Sequence, residues 1–352
     1  MSESSDAYKG LVMLWAAPID KYCAAAVLER AIEVRGLPVV QFWQDTKCSP
    51  EQMAEWEDAG HFPIDIGDEK YHTLDGVLSA TRYVADMFGM TSPGIAEVVD
   101  LTVRNNTRGI GGFLRGGYRA IGMSVRELPE IEGYDPNEIH LRAVEVAHAF
   151  IDGIDGLLNP NRTEEGLLST LLDLVNETRY PDAKKLCKEP FTPGRYLWDL
   201  WRAGAPVEEI EEKVLWWIDG WKVVKKHMDA ADAEFAAMDK EPLTFVVTGP
   251  KGKRVTCLKL STSNRMLAKR AGHDDSFALR VVKDPETGQA VIASQRQQLG
   301  AITYYLNHIE PGLWYWASGA IINGGPQYKE TPGTRYSLDE LAEIVRTHLF
   351  AA

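Results

Sequence analysis

The chain is short of cysteine, of long apolar runs and of positive charge. Its four cysteines, Cys23, Cys48, Cys187 and Cys257, lie far apart among 352 residues and form no CxxC pair. That spacing argues against a disulfide framework or a cysteine zinc cluster and fits a reducing cytosol. Apolar runs such as GLVMLWAA (10–17) fall far short of the ~20 residues that cross a bilayer. The opening MSESSDAYKG has neither the basic start nor the apolar core of a signal peptide. The first eight residues read as a frayed tail, and a cytoplasmic protein without membrane contact is expected. Lys and Arg number 38 against 51 Asp and Glu, a formal charge of −13. Broad attraction to duplex nucleic acid or anionic membrane is therefore not expected, although a small basic groove is compatible with it. No internal repeat is present.

What remains is ordinary globular composition, 45% hydrophobic and 25% charged, in a chain long enough for two cores. GLVMLWAA (10–17), PVVQFWQ (38–44) and FPIDIG (62–67) read as strands. KYCAAAVLERAIEVRG (21–36), SPEQMAEWEDAG (49–60) and SATRYVADMFG (79–89) read as helices between and after them. This alternation predicts a parallel α/β domain over 1–92. Residues 93–240 read as a mainly helical continuation. Residues 241–352, with four short β runs and a closing helix capped by Ser337 and Glu340, read as a smaller C-terminal α/β domain.

In a parallel sheet, ligands bind beyond the carboxyl ends of the strands. Asp20 follows the first strand and Asp65 ends the third; Asp68, His72 and Asp75 come within ten residues of Asp65. Carboxylate oxygen suits Mg²⁺ and Mn²⁺, and Mn²⁺ also accepts imidazole. Asp20, Asp65, His72 and Asp75 are thus candidate metal ligands, the first three also candidate catalytic residues. The competing reading is a polar turn, because Asp and His favour turns and caps. A second candidate is the glycine-rich basic stretch NNTRGIGGFLRGGYR (105–119). Its arginines, with Arg104 before it, offer phosphate contacts from Arg104, Arg108 and Arg115, or else offset neighbouring acids. Asn323-Gly324-Gly325 forms either a phosphate or nucleobase cradle or a hairpin turn. Asp152 and Asp155 share a helix face and suit either a ligand pair or a polar helix end. Trp198, Trp201, Trp216, Trp217 and Trp221, at helical spacing, suit a core or a protein interface more than a base-stacking platform. No Ser-His-Asp arrangement is evident.

Three stretches carry a resemblance: LWAAPIDKYCAAAVL, PIDIGDEKYHTLDGVLSATRYVADMFG, and LWYWASGAIINGGPQYKETPGTRYSLDELAEIV. Together they resemble the DHH phosphoesterase superfamily, in particular its MYG1-like branch. The resemblance implies a parallel α/β domain with an Asp-rich Mn²⁺ site, a helical connection and a smaller substrate-binding domain. Asp65 matches the lone aspartate of its second motif, and Asp20 stands near an expected ligand of the first. Tyr22 stands where a second acid is expected, and His72-Thr73-Leu74 stands in place of Asp-His-His. The family's last aspartate corresponds to Asp152 or Asp155, or has become Asn105 or Asn106. The expectation is a phosphoesterase fold with an eroded motif that binds a nucleotide or short single-stranded nucleic acid between its domains, with Mn²⁺, Mg²⁺ or no cofactor. The alternatives are a divergent Mn²⁺-dependent phosphodiesterase and a structural subunit that contacts an oligomer or protein partner.

Overall fold

The computed structural model describes residues 8–15, 19–43, 48–67, 79–108, 121, 124–125, 127–156, 190–272, 274–294, 297–317, 320–323 and 332–350. The chain is mixed α/β and divides into two compact units, Met1–Phe42 with Thr46–Val224 and Trp43–Asp45 with Lys225–Ala352. The first opens with β1 (Gly10–Leu14), α1 (Ile19–Ala31), β2 (Val39–Trp43), α2 (Pro50–Ala59) and β3 (His61–Pro63). The strand order is β2-β1-β3, and β1 runs parallel to β3 with Gly10 opposite His61 and Val12 opposite Pro63. Strand–helix alternation in the sequence gives this arrangement, because parallel neighbours need a crossover. Next come α3 (Ala80–Phe88), α4 (Pro93–Arg108), α5 (Pro136–Asp155), α6 (Pro193–Arg202) and α7 (Val207–Ala237).

Several helix ends follow from local chemistry. The Ser49 side chain accepts the Gln52 N–H and Pro50 starts α2, as their positions predict. α1 ends earlier than its expected stop at Gly36. Glu33 adopts φ 57°, and the Val34 N–H bonds back to the Glu29 carbonyl at 2.9 Å. The Glu29 carboxylate accepts the Leu37 N–H at 2.7 Å, so this side chain holds the turn that the glycine was expected to make.

Helix α1 is buried from Ile19 through Glu29 and packs on α3, α4 and α5. Three consecutive alanines, Ala24, Ala25 and Ala26, are fully covered there. α5 also packs on α4 and α6. The contact with α4 is close at Gly94, where an added Cβ would lie 2.4 Å from the Ile151 carbonyl oxygen.

The second unit is a six-stranded sheet of β4 (Thr244–Thr248), β5 (Arg254–Ser261), β6 (Leu279–Lys283), β7 (Ala290–Ser294), β8 (Trp314–Ala317) and β9 (Ala320–Asn323). Its order is β4-β5-β6-β7-β9-β8. β5 and β6 are parallel, joined across α8 (Arg265–Gly272), and the other neighbours are antiparallel. Alternate residues Phe245, Val247, Val255, Cys257, Leu279 and Val281 share a core with Ile302 and Leu306 of α9 (Gly300–Ile309) and Leu341 and Val345 of α10 (Leu338–His348). The capping box of Ser337 and Glu340 forms as the sequence predicts. Among the described residues no helix is long and apolar enough to cross a membrane.

The Gly94 contact yields a test. Gly94→Ala drives a methyl into the α5 backbone and should lower stability by about 1–3 kcal/mol in denaturant unfolding. Gly300→Ala, which meets no atom within 4 Å, should stay within about 0.5 kcal/mol of the parent.

Candidate functional site

The carboxyl edge of the small parallel sheet brings together Asp20, Lys21 and Asp65. Asp20 is the second residue of α1, in the element that follows β1; Asp65 lies two residues past β3. Both are buried, and so is Lys21 between them in the chain's order.

The two oxygens of Asp20 meet four donors. Oδ2 accepts the Ala80 N–H at 2.9 Å and the Asn106 side-chain amide at 2.8 Å. Oδ1 accepts the Thr81 N–H at 3.0 Å and the Thr81 hydroxyl at 2.7 Å, a hydroxyl it shares with its own carbonyl. The Ser79 side chain takes the Arg82 N–H at 3.0 Å. Asp20 and Ser79 thereby satisfy the first N–H groups of α3, which have no partner within the helix. A carboxylate is well suited to this end, because the N-terminus carries partial positive charge and hydrogen bonds to an ionised acceptor are strong.

Asp65 adopts φ 56°, a left-handed conformation that is uncommon for a residue with a side chain and more accessible to Asp than to most. In that conformation its carboxylate is in direct contact with the Lys21 ammonium. Burial lowers the Lys21 pKa to about 8, while the nearby Asp20 charge pulls the other way. At neutral pH the lysine therefore remains mostly charged. Lys21 was not among the residues the sequence singled out. Its signal was a lone lysine at the start of an alanine-rich helix with no polar face.

The other candidates divide. Asp68, His72, Asp75, Arg115, Gly324 and Gly325 lie outside the described residues, as does the Arg108 side chain at the end of α4. Arg104 pairs with Asp100 and, at 3.8 Å, with Glu97 on its own helix. Asn106 is brought to Asp20, whereas Asp152 and Asp155, also considered for the last acid, have separate roles. Asp155 accepts the Ser92 hydroxyl at 2.7 Å and the Gly94 N–H at 2.6 Å, which anchors the start of α4. Asp152 accepts from Arg30 at 2.5 Å. In the second unit Asn323 is buried, donates to the Leu313 carbonyl at 3.3 Å, and leaves its Oδ1 without a hydrogen bond. Among the described residues, no three His, Cys, Asp or Glu side chains converge as a metal site. Asp20, with four donors, and Asp65, against an ammonium, do not by themselves fit a divalent ion.

A second polar cluster lies elsewhere in the first unit. His148 Nε2 is 2.8 Å from Glu29, and Arg30 Nε donates to His148 Nδ1 at 3.1 Å. Nδ1 is then the acceptor and Nε2 the donor, a neutral ring; burial holds its pKa below the usual histidine value. A cavity of about 450 Å³ adjoins it, lined by Glu29, Arg35, Glu145, His148, Tyr196 and Lys213 among others. Neither Asp20 nor Asp65 lines it. His140 is buried beside Tyr22, and among the described residues neither ring nitrogen has a hydrogen bond of normal geometry. Burial lowers its pKa to about 4, outweighing the attraction of Glu29 and a weak contact with the Leu37 backbone.

No family model matches the chain, and no curated protein is found to match it. Among solved structures it is similar to PggH, a pGpG-specific phosphodiesterase from Vibrio cholerae, with TM-score 0.41 and 10% identity over 96% of this chain and 98% of that one. It is also similar to the DHH domain of a member of a family of ribosomal proteins, with TM-score 0.35 and 14% identity over 99% and 88%. Likeness at this level carries no argument about fold or activity.

Two outcomes test this geometry. Asp20→Asn turns an amide NH₂ toward N–H donors and should lower stability by about 2–4 kcal/mol in EDTA as in Mn²⁺, whereas loss of a pure metal ligand would leave stability in EDTA unchanged. The second concerns pH. A neutral buried His140 binds its proton only near pH 4, while in the unfolded chain it does so near 6.5. Between those values the unfolded state holds more protons, so stability falls as pH drops, by up to roughly 3 kcal/mol from this group. Thermal unfolding from pH 7 to 4 should show that slope, and His140→Leu should flatten it, leaving the part due to His148.

Proposed function

We propose that this protein binds a nucleotide or short single-stranded nucleic acid on a DHH-like phosphoesterase scaffold without carrying out two-metal hydrolysis. One observation carries the reading: the Asp20 carboxylate, at the centre of the expected ligand set, already accepts four protein donors. A carboxylate so occupied has little left to offer a metal ion, and its charge is already used at the start of α3. The replacement of Asp-His-His by His72-Thr73-Leu74 points the same way, because threonine and leucine supply no imidazole.

The anion-binding part of the proposal rests on position. α4 delivers Asn106 to Asp20, and the helix ends two residues later at Arg108. Arg108, the last residue of α4, is therefore within one helical turn of the residue that meets Asp20, and the basic glycine-rich stretch continues from it in sequence to Arg119. Glycines allow backbone N–H groups to approach an anion, and arginines bind phosphate in pairs of hydrogen bonds. Arg104, Arg108 and Arg115 are assigned this task.

Fluorescence polarisation with labelled dinucleotides and a short RNA, in EDTA and in Mn²⁺, tests the reading. Equal affinity in both, weakened about tenfold or more by Arg108→Glu with Arg115→Glu, is expected, together with no phosphoester cleavage. Mn²⁺-dependent cleavage that disappears in Asp65→Asn would establish the phosphodiesterase alternative instead. No affinity for any phosphate compound would overturn both and favour the structural subunit.

A further inference from the structure

We infer that Lys21 is a tethered cation, its ammonium standing at Asp65 where an ion bound by that carboxylate would stand, and that Asn106 plays the matching part at Asp20. Together they make this centre independent of divalent metal. The inference deepens the proposed function and rests on its reading of the Asp20 centre, but its test needs no ligand.

Two acids, Asp20 and Asp65, remain at the carboxyl edge of the sheet, and both are buried. Buried carboxylates that stay ionised require a counter-charge or a full set of donors. Metal enzymes supply the charge with an ion; here the chain supplies it itself. Lys21 touches Asp65 and is also attracted by Asp20, so one ammonium serves the electrostatics of both acids. The Asn106 amide reaches Asp20 Oδ2 at 2.8 Å. An aspartate at 106 would set two carboxylates in contact and demand a cation between them; an asparagine supplies a donor and removes that demand. Both substitutions of charge act in the same direction and come from different helices.

The local backbone is consistent with a position fixed for this contact. Asp65 holds a left-handed conformation, with Gly67 at φ 96° two residues on. Lys21 is confined to a helix buried on every described face through Glu29. A lysine there has no solvent to reach, and Asp65 is the partner that accounts for its charge.

Changing both residues is the test. The double variant Lys21→Ala, Asn106→Asp removes the tethered ammonium and places a carboxylate beside Asp20. Its melting temperature in EDTA should fall by roughly 10 °C or more, and millimolar Mn²⁺ should return several degrees of that loss. The parent protein should melt at the same temperature in EDTA and in Mn²⁺. A folded double variant indifferent to Mn²⁺ would overturn the inference. If that variant does not fold, electron paramagnetic resonance of Mn²⁺ titrated with the parent protein decides. A spectrum that stays that of the hydrated ion supports a centre closed to metal; bound Mn²⁺ that Asp65→Asn releases overturns it. Failure of nucleotide binding alone would remove the proposed function and leave these metal readouts intact.

Discussion

The first unit depends on a helix that is buried while carrying charge. Between Ile19 and Glu29, α1 exposes almost nothing, yet it holds Asp20, Lys21 and Glu29. Each of these must find a partner inside the fold, because an unpaired buried ion costs several kcal/mol. The partners come from different elements. Asp20 takes the start of α3 and Asn106 of α4; Lys21 takes the residue beyond β3; Glu29 takes the Leu37 backbone and His148 of α5. Apolar contact alone would let these helices slide on α1, since alanine surfaces are nearly featureless. The charged contacts fix the register, and so fix where the sheet's carboxyl edge faces α3 and α4.

Features that depend on neighbours in sequence were legible beforehand. Ser49 and Pro50 start α2, and Ser337 with Glu340 starts α10, because a cap is decided within four residues. The strands of the second unit follow alternating β-branched runs such as RVTCLKLS, whose inward residues enter one core. What was not legible depends on separation. Asp20 meets Ala80 across 60 positions and Asn106 across 86. No periodicity in a single sequence reports such a meeting. Glu29 ending α1 is an intermediate case: the bond to Leu37 spans eight residues, but glycine at 36 is the more familiar stop signal and drew the expectation there.

The candidate site shows the same division in sharper form. The order of the strands puts Asp20 and Asp65 past the strand ends, and both do lie there beside Lys21, but residue type could not say what a carboxylate is for. An aspartate can bind a metal, cap a helix or hold a lysine. The count and kind of donors around it decide among these; Lys21 and Thr81 become visible only in three dimensions, and Asn106, one of four positions considered for the last acid, is brought to Asp20 only there. Asp152 and Asp155 make the same point. Three residues apart on α5, they look like a ligand pair, but one holds Arg30 and the other the first turn of α4.

The charge balance at this edge then constrains what it can bind. Asp20 and Asp65 contribute two negative charges and Lys21 one positive, leaving a net charge near −1, reduced by the partial positive end of α3, equivalent to roughly half a charge. A centre holding two divalent ions would instead be strongly positive and could draw in phosphate unaided. On the proposed function, phosphate attraction would then have to come from elsewhere in the chain, and Arg108, two residues beyond Asn106, is one of the arginines assigned to it. A protein of net charge −13 that binds phosphate through a few arginines must do so locally, against its overall field. Such binding weakens steeply as salt screens those few contacts, whereas a metal-bridged phosphate, held by direct coordination, is less sensitive to screening. On the proposed function, a lysine and an asparagine at this edge would therefore change more than the capacity for hydrolysis: recognition of phosphate would rest on side chains other than Asp20 and Asp65.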